Sequence, residues 1–538
     1  MQKKLFFTLF TLSLLAYWGC KGGDKNQVVS SSAPYAGPPY TVQLEEYVNP
    51  NLPDLHSYSH AIYGDKIVMI GGRTNGLHGG NYNFDRKHSN ADIFVISTNN
   101  WATPETWTVK SLPYTSPLLA GAAAGNEMRQ FQANNAQFFT EDSVLYIVGG
   151  LFGSGRPTQL AQANNPQSDV VLAPKTKADK NLSNNADADN KPFTLPYMTA
   201  VTLPALINTV NNGVPLQSGN IRQVKNDKLA VTGGELELMG NTVKLVFGWN
   251  FFIPKGDLYT HQIRSFTYTD DGKTLSISPI TICPTCQDGE ADTSDTGNFR
   301  RRDGSMSAMI DPANGASFLM YYAGVFKNGN INFDTPVWIG AESAKEENFT
   351  MYSNVYTCKV VPVYSPSRMQ SYATLMGGMK NAVYTGTRGR LPILLNATNS
   401  TITSKADDFS SIPNSNQFST VMIDKQHQLS QYLLPDSFPA TKVPYPFADT
   451  TALPANSNPY NGAEAELLWT LAPASGRMPN GVVNYDEFIK TSPEGGAIGY
   501  LHGGILFRVA NTFSSGQQNK LSRASNRIFA VKIVPVKQ

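Results

Sequence analysis

A hairpin ending on paired glycines, repeated along the chain, limits the fold of this sequence more than any other feature. Its clearest copy runs from His56 to Gly72. It comprises His-Ser-Tyr-Ser-His-Ala-Ile-Tyr, a Gly64-Asp65 turn, the apolar run Ile67 to Ile70, then Gly71-Gly72. A glycine-containing turn between two such runs predicts a β-hairpin. A buried strand closed by glycines predicts close approach of another backbone at that point. Ser89 to Asn100 adds a third strand, and Trp101, Trp107 and Leu112-Pro113 lead into a fourth.

The pattern returns five times in worn form. Gln132 to Gly150 ends on Val-Leu-Tyr-Ile-Val-Gly-Gly, and Leu229 to Gly234 is followed by Val243 to Trp249, with Gly248 at the glycine position. Ser305 to Gly324 is a fourth unit. Gln370 to Met376 followed by Ala382-Val-Tyr-Thr is read as the fifth, and Glu464 to Trp469 with Ile498 to Gly504 as the sixth. On this reading only the first, second and sixth units keep the diglycine. A unit recurring over essentially the whole mature chain predicts a repeat architecture rather than several independent domains.

The ordered set resembles the kelch repeat: diglycine after the second strand, Asn-Asp-hydrophobic third strand, tryptophan before the fourth. The resemblance implies an all-β fold, a six-bladed kelch-like β-propeller, with seven blades as the alternative count. Asn526 to Val534 matches a third strand with no fourth after it. Tyr40 to Tyr47 has no blade of its own and is expected to supply the missing strand, closing the ring and removing exposed edges. Residues 155–195 are polar, rich in Asn and Asp, and read as a long insertion within the second blade.

The chain begins Met-Gln-Lys-Lys, then an apolar run from Leu5 to Trp18, then Gly19-Cys20. Basic, apolar and small-residue segments in that order predict a cleaved signal peptide over residues 1–19. At ~1.5 Å per residue the apolar run is short for a ~30 Å hydrocarbon core. Leu14, Leu15, Ala16, Gly19 and Cys20 resemble the lipobox of bacterial lipoproteins, although Tyr17 and Trp18 are larger than that family usually carries. The resemblance implies diacylation of Cys20 and a membrane anchor, followed by a tether over residues 20–39 and the propeller over 40–538. Asn-rich loops and a relaxed lipobox resemble Bacteroidota-type outer-membrane lipoproteins.

Charged residues make up 16% and net charge is +2, with Arg300-Arg301-Arg302 flanked by Asp295 and Asp303. Nucleic-acid binding asks for a larger basic surface. Cys283 and Cys286 form a lone C-x-x-C, expected as a local disulfide in an oxidising compartment. Cys358 lies in an apolar-alternating stretch and is expected to be a buried thiol.

His56 and His60 would lie ~13 Å apart on a strand, too far for one metal. The seven histidines and four cysteines lack the copper-ligand context of galactose oxidase, and no sialidase Asp-box is present. Asp292 to Asn298 lacks the spacing of an EF-hand loop. No cofactor, metal or catalytic set is therefore assigned.

The residues before each innermost strand are expected at the channel mouth, where a polar ligand could bind: His56, Ser59, Arg129, Gln130, Arg302, Asp303, Arg368, Gln370 and Glu464. The leading functional expectation is a membrane-anchored binding or scaffold module for an outer-membrane protein complex or an extracellular glycan. The alternative is a carbohydrate-active enzyme (hydrolase, lyase or sugar isomerase) using Asp303, Glu464 or Glu466 with His56.

Overall fold

Side chains two apart on a strand face the same way, and in this chain the second strand of each repeat is buried on both faces. In the second strand of the first repeat, Ile67 and Met69 join one buried cluster and Val68 and Ile70 another. A sheet buried on both faces must be sandwiched between two others. Repeating that condition six times around an axis gives a ring.

The computed structural model describes residues 35–537 except 78–85, 124, 154–192, 251–258, 289–296, 328–330, 354–355, 386–390, 397–400, 406–410, 448–450 and 513–517. Gly37–Lys537 forms one unit, a six-bladed β-propeller. From the axis outward, blade 1 is Ser59–Tyr63, Lys66–Ile70, Asp92–Ser97 and Thr108–Pro113. Blade 2 is Gln137–Glu141, Val144–Val148, Tyr197–Thr202 and Ile221–Lys225. Blade 3 is Glu235–Met239, Thr242–Val246 and Ile263–Phe266, with Thr281 bridging Ser265 at the outer edge. Blade 4 is Ser305–Ile310, Ser317–Tyr322, Val337–Ile339 and Ala344–Glu346.

Blade 5 corrects the sequence reading. Its innermost strand is Val360–Ser365 and its second is Gln370–Met376, followed by Gln417–Asp424 and Leu429–Ser437. Gln370–Met376 thus ends on Gly377-Gly378, a fourth intact diglycine. Ala382–Thr385 belongs to a separate hairpin with Thr401–Lys405. The shift by one strand arose because Val-Tyr-Thr-Gly after Ala382 imitates the strand-plus-glycine signal.

Blade 6 is Ala465–Trp469, Gly496–Gly503 and Ile528–Pro535, completed by Tyr40–Tyr47 in antiparallel register from Tyr40↔Pro535 to Tyr47↔Ile528. The N-terminal strand therefore closes the ring, as the missing fourth strand required. The 155–195 insertion lies almost entirely outside the described residues. Its flanks, Leu151–Phe152 and Phe193–Thr194, pair with each other between the second and third strands of blade 2.

Each blade interface carries its own apolar core. Phe139, Val148, Met198, Leu236 and Leu245 lie between blades 2 and 3, and Met309, Met320, Val360 and Leu375 between blades 4 and 5. Tyr40, Val363, Tyr372, Leu467 and Val531 lie between blades 5 and 6. Each such side chain contributes roughly 1.5–3 kcal/mol when fully buried. At the seam between blades 6 and 1, Trp107 is buried and meets Trp101 and Tyr500 with ring centroids 5.4 and 5.2 Å away. The three rings thus fill the widening gap between two wedges.

Candidate functional site

The chain reaches each innermost strand through one residue with positive φ: Ser57, Asn135, Gly233, Asp303, Thr357 and Glu464, at 55°, 50°, 60°, 48°, 32° and 55°. Such angles cost a side-chain-bearing residue roughly 1–3 kcal/mol and persist only where surrounding structure enforces them. The enforcement is visible. Each of the six donates its backbone N–H to the carbonyl of its counterpart in the neighbouring blade: Asn135 to Ser57 (3.0 Å), Gly233 to Asn135 (3.3 Å), Asp303 to Gly233 (2.6 Å), Thr357 to Asp303 (3.0 Å), Glu464 to Thr357 (2.7 Å) and Ser57 to Glu464 (3.5 Å). The chain of bonds returns to its start and makes a closed collar at one end of the channel.

The glycine pairs brace the collar from outside. The second glycine donates to the next blade in five described cases: Gly72 to Ala133, Gly150 to Val231, Gly248 to Arg301, Gly378 to Asn461 and Gly504 to Leu55, at 2.8–3.0 Å. A Cβ on Gly71, Gly149 or Gly503 would run into the very carbonyls brought close by this arrangement. In blades 3 and 4 the first glycine is replaced by Phe247 and Ala323, which keep the positive φ (55° and 54°).

Below the collar lies a chamber of about 570 Å³ lined by all six innermost strands. Its far end is crossed by a strap, Arg477 to Gly481, from the long excursion between the first two strands of blade 6. The strap is fastened by parallel pairing of Val483–Asn484 with Val363 and Tyr364 and by Asn480 Nδ2 donating to Ser317 Oγ (3.1 Å). Arg477 lies 5.3 Å from the Trp469 ring.

The chamber is acidic. Asp303, Glu464, Glu466, Glu235 and Glu237 line it, against Lys359 and Arg477 as fixed cations and His60. Three of the acids are held. Arg302 pairs with Asp303 while its guanidinium stacks 3.8 Å from the Trp249 ring. Glu464 Oε2 bonds His56 Nδ1 (2.7 Å) and accepts from the Ser57 hydroxyl. Lys359 Nζ reaches Glu466 Oε2 at 2.9 Å, with His60 Nδ1 3.7 Å from the same oxygen. Burial pushes Asp303 up to about 6 against the pull of Arg302, and Glu464 adds to the rise. Burial lowers His60 to about 3, with Lys359 and His502 pulling the same way.

Glu235 and Glu237 stand two apart on the inner strand of blade 3. Burial drives Glu235 up to about 8, opposed by Lys359 and reinforced by Glu466, Glu237 and Asp303. Burial likewise drives Glu237 up to about 7, opposed by the Leu238 N–H, Arg477 and Lys359. Near neutrality Glu235 is therefore largely protonated and Glu237 about half so.

Of the nine expected mouth residues, Asp303 and Glu464 sit in the collar, while His56 and Arg302 immediately precede the collar residues Ser57 and Asp303 and hold the carboxylates of Glu464 and Asp303 respectively. The others lie elsewhere. Ser59 is buried in the inner strand of blade 1, opposite Ile70. Gln130 is enclosed within blade 2, its amide donating to the carbonyls of Ile147, Gly149 and Tyr197. Arg129 is in the same short helix, Asn126–Phe131, and bonds Asn126. Arg368 and Gln370 belong to the hairpin at the opposite end of the innermost strand of blade 5, because of the strand shift described above.

Sequence reasoning passed over Ser57, Asn135, Gly233, Thr357, Glu235, Glu237 and Lys359. Asn, Gly and Asp tolerate the left-handed region, so Asn135, Gly233 and Asp303 just before predicted strands were a usable signal.

Cys283 and Cys286 are at bonding distance (S–S 2.02 Å). Cys358 is buried and free, its thiol raised to about 11 by burial. The Arg300–Arg302 run is consumed internally: Arg301 is fully buried, pairs with Glu346 (2.6 Å) and lies over Phe333. Most of Asp292 to Asn298 falls outside the described residues.

No family model matches the chain, and no curated protein matches it. The solved structure titled "Structure of YjhT" aligns over 91% of this chain and 100% of that one, at 10% identity and a TM-score of 0.39. The six sheets and their closed register are what establish the architecture here.

Proposed function

We propose that this chain is an exported lipoprotein of the kelch type, anchored through Cys20 in an outer membrane of the Bacteroidota kind, whose propeller acts by binding. The signal-like start, the cysteine after it and the polar tether over residues 20–39 support the anchor. Four diglycines at one structural position, with Trp101 and Trp107 before the fourth strand of blade 1, support the kelch assignment.

The observation that carries the binding reading is the chamber. It is concave, within the ~300–1,000 Å³ range of small-molecule sites, and closed by a rigid collar. Its charges are mostly locked into pairs that orient a guest without acting on it. A glycan, or a segment of an outer-membrane protein complex, is the partner this placement suits.

The enzyme reading has one observation in its favour. Glu464 and His56, far apart in sequence, are in contact beside Asp303. A carbohydrate-active mechanism would need that dyad to reach substrate.

The test is affinity purification of the native protein from membranes, beside Cys20→Ala. The wild type is expected in the membrane fraction with a co-purifying protein or glycan, and Cys20→Ala in the soluble fraction. A Cys20→Ala protein that still sediments with membranes overturns the anchor. Recovery of the propeller alone from mild detergent overturns the binding reading. Glycan turnover that His56→Gln abolishes would favour the enzyme instead.

A further inference from the structure

Among the described residues, blade 3 alone lacks a fourth strand. The segment that reaches its outer edge, Thr281 to Gln287, reads Thr-Ile-Cys-Pro-Thr-Cys-Gln, and the proline at its centre has no N–H to give a ladder. The segment meets Ile263–Phe266 at two separate points instead. Thr281 and Ser265 exchange both backbone bonds (2.8 and 2.9 Å), and the Ile263 N–H donates to the Cys286 carbonyl (2.8 Å). Between those points the chain leaves the edge in a tight turn, closed by the Cys286 N–H donating to the Cys283 carbonyl (2.9 Å), with Pro284 at the second position.

We propose that the Cys283–Cys286 disulfide stands in for the missing strand pairing and makes the outer edge of blade 3 a redox-sensitive joint, which a dithiol reductant opens. This rests on the fold alone and is independent of the binding reading.

The contacts of the turn show what the disulfide holds. From within the four bridged residues, the Cys286 carbonyl accepts from Ile263 in blade 3, and Thr285 Oγ1 accepts from the Ala344 N–H (3.1 Å) on the outer strand of blade 4. One short turn therefore ties two blades together at their rims. The flanks are fastened by other means. Thr281 is held by Ser265, while the Asp288 carboxylate accepts from the Phe299 N–H (3.0 Å) and contacts His261 Nδ1 (2.9 Å). What depends on the disulfide is thus limited to the turn and its two partners.

The two sulfurs are unequally placed. Cys286 is 1% exposed and belongs to the apolar core between blades 3 and 4. Cys283 lies at the margin of that core, partly exposed, beside the exposed Pro284 and Thr285. An incoming thiolate would attack Cys283 Sγ, and the S–S bond breaks with Cys286 leaving as a thiolate that takes a proton from water. The second thiolate of the dithiol then displaces Cys283. The reagent leaves oxidised to its own disulfide and the protein holds two thiols. The freed turn no longer keeps Ile263 covered, and an uncovered strand edge presents unpaired backbone groups.

The experiment is hydrogen–deuterium exchange with mass spectrometry on the full chain in detergent, before and after dithiothreitol, beside the Cys283→Ser, Cys286→Ser double variant. Peptides carrying Ile263 and Ala344 are expected to exchange at least tenfold faster after reduction, and those carrying Lys66–Ile70 of blade 1 at an unchanged rate. Iodoacetamide should label Cys283 and Cys286 in the reduced protein and leave the buried Cys358 untouched. Reoxidation should restore slow exchange. The serine variant should match the reduced wild type; should it fail to fold, the reduced and reoxidised wild type decides.

A disulfide that resists dithiothreitol in the folded protein would overturn the proposal, as would equal exchange at Ile263 and Ala344 in both states. Faster exchange in every blade, with Cys358 labelled, would overturn it too, because the disulfide would then support the whole ring and not one joint.

Discussion

Single residues at fixed places carry the geometry of this propeller. Gly71 has φ of 72°, and any Cβ there would meet the carbonyl oxygen of Ala133 in the next blade. Gly71→Ala therefore combines backbone strain with a backbone collision that no rotamer relieves. It is expected to lower stability by about 2–4 kcal/mol in urea unfolding. Ala323 occupies the same structural position in blade 4 and already bears a methyl group at φ 54°. Ala323→Gly should be neutral or stabilise by up to about 1 kcal/mol in the same assay. A loss on both substitutions would show that φ is not what governs this position.

At the scale of elements, the closing strand Tyr40–Tyr47 is held by two acids of unequal weight. Glu46 is buried against Arg527 (2.6 Å), and its other oxygen accepts from the Lys442 N–H (2.8 Å). Arg527 in turn bonds Asn461 and the Pro439 carbonyl. Glu45, next to it in sequence, pairs with Lys532 in solvent, with both side chains over a third exposed. Removing one partner of a buried pair costs about 3–5 kcal/mol, and of a surface pair about 0–1. Glu46→Gln should therefore lower the urea midpoint clearly and Glu45→Gln barely, and equal effects would refute this assignment. The strand itself was legible in sequence because a third strand at Asn526 to Val534 lacked a fourth. Its buried ion pair was not, since Glu46 and Arg527 are 481 residues apart and nothing local distinguishes Glu46 from Glu45. The fifth blade was misread for a related reason. Local pattern identifies a strand followed by glycine, but which strand is innermost is set by contacts with neighbouring blades.

At the scale of the whole molecule, buried titratable groups set how stability responds to pH. Glu235, Glu237 and Asp303 have folded values raised to about 8, 7 and 6. Between their unfolded values near 4 and these, the folded state binds more protons, so they make stability fall as pH rises. His60 and His502 are both lowered to about 3 by burial. The unfolded chain takes up their protons below pH 6.5, so they make stability fall as pH drops. The two trends oppose one another between pH 4.5 and 6.5, and above that the carboxyls prevail until Lys380, which burial lowers to about 8, begins to make stability rise with pH. The melting temperature should therefore decline from pH 6.5 to 7.5, and Glu235→Gln with Glu237→Gln should recover on the order of 2–3 °C at the upper end. A double variant that follows the wild-type curve would refute the raised values. Asp303 and Glu464 could be picked out beforehand because each directly precedes a predicted innermost strand. Glu235 and Glu237 could not, because Gly233-Gly234 before them looks like the end of the run from Leu229, whereas Gly233 is the collar residue and a new strand begins at Glu235.

The collar also behaves as a hoop. Six amides bonded in a circle tie each blade to both of its neighbours, so no blade can swing away without stretching two of these bonds. That end of the channel is then held by backbone rather than by side chains. Its one residue without a side chain, Gly233, is covered by the Asp303 carboxylate, which lies where a Cβ would be. At the other end the chamber is bounded by side chains of the strap, with Arg477 over Trp469.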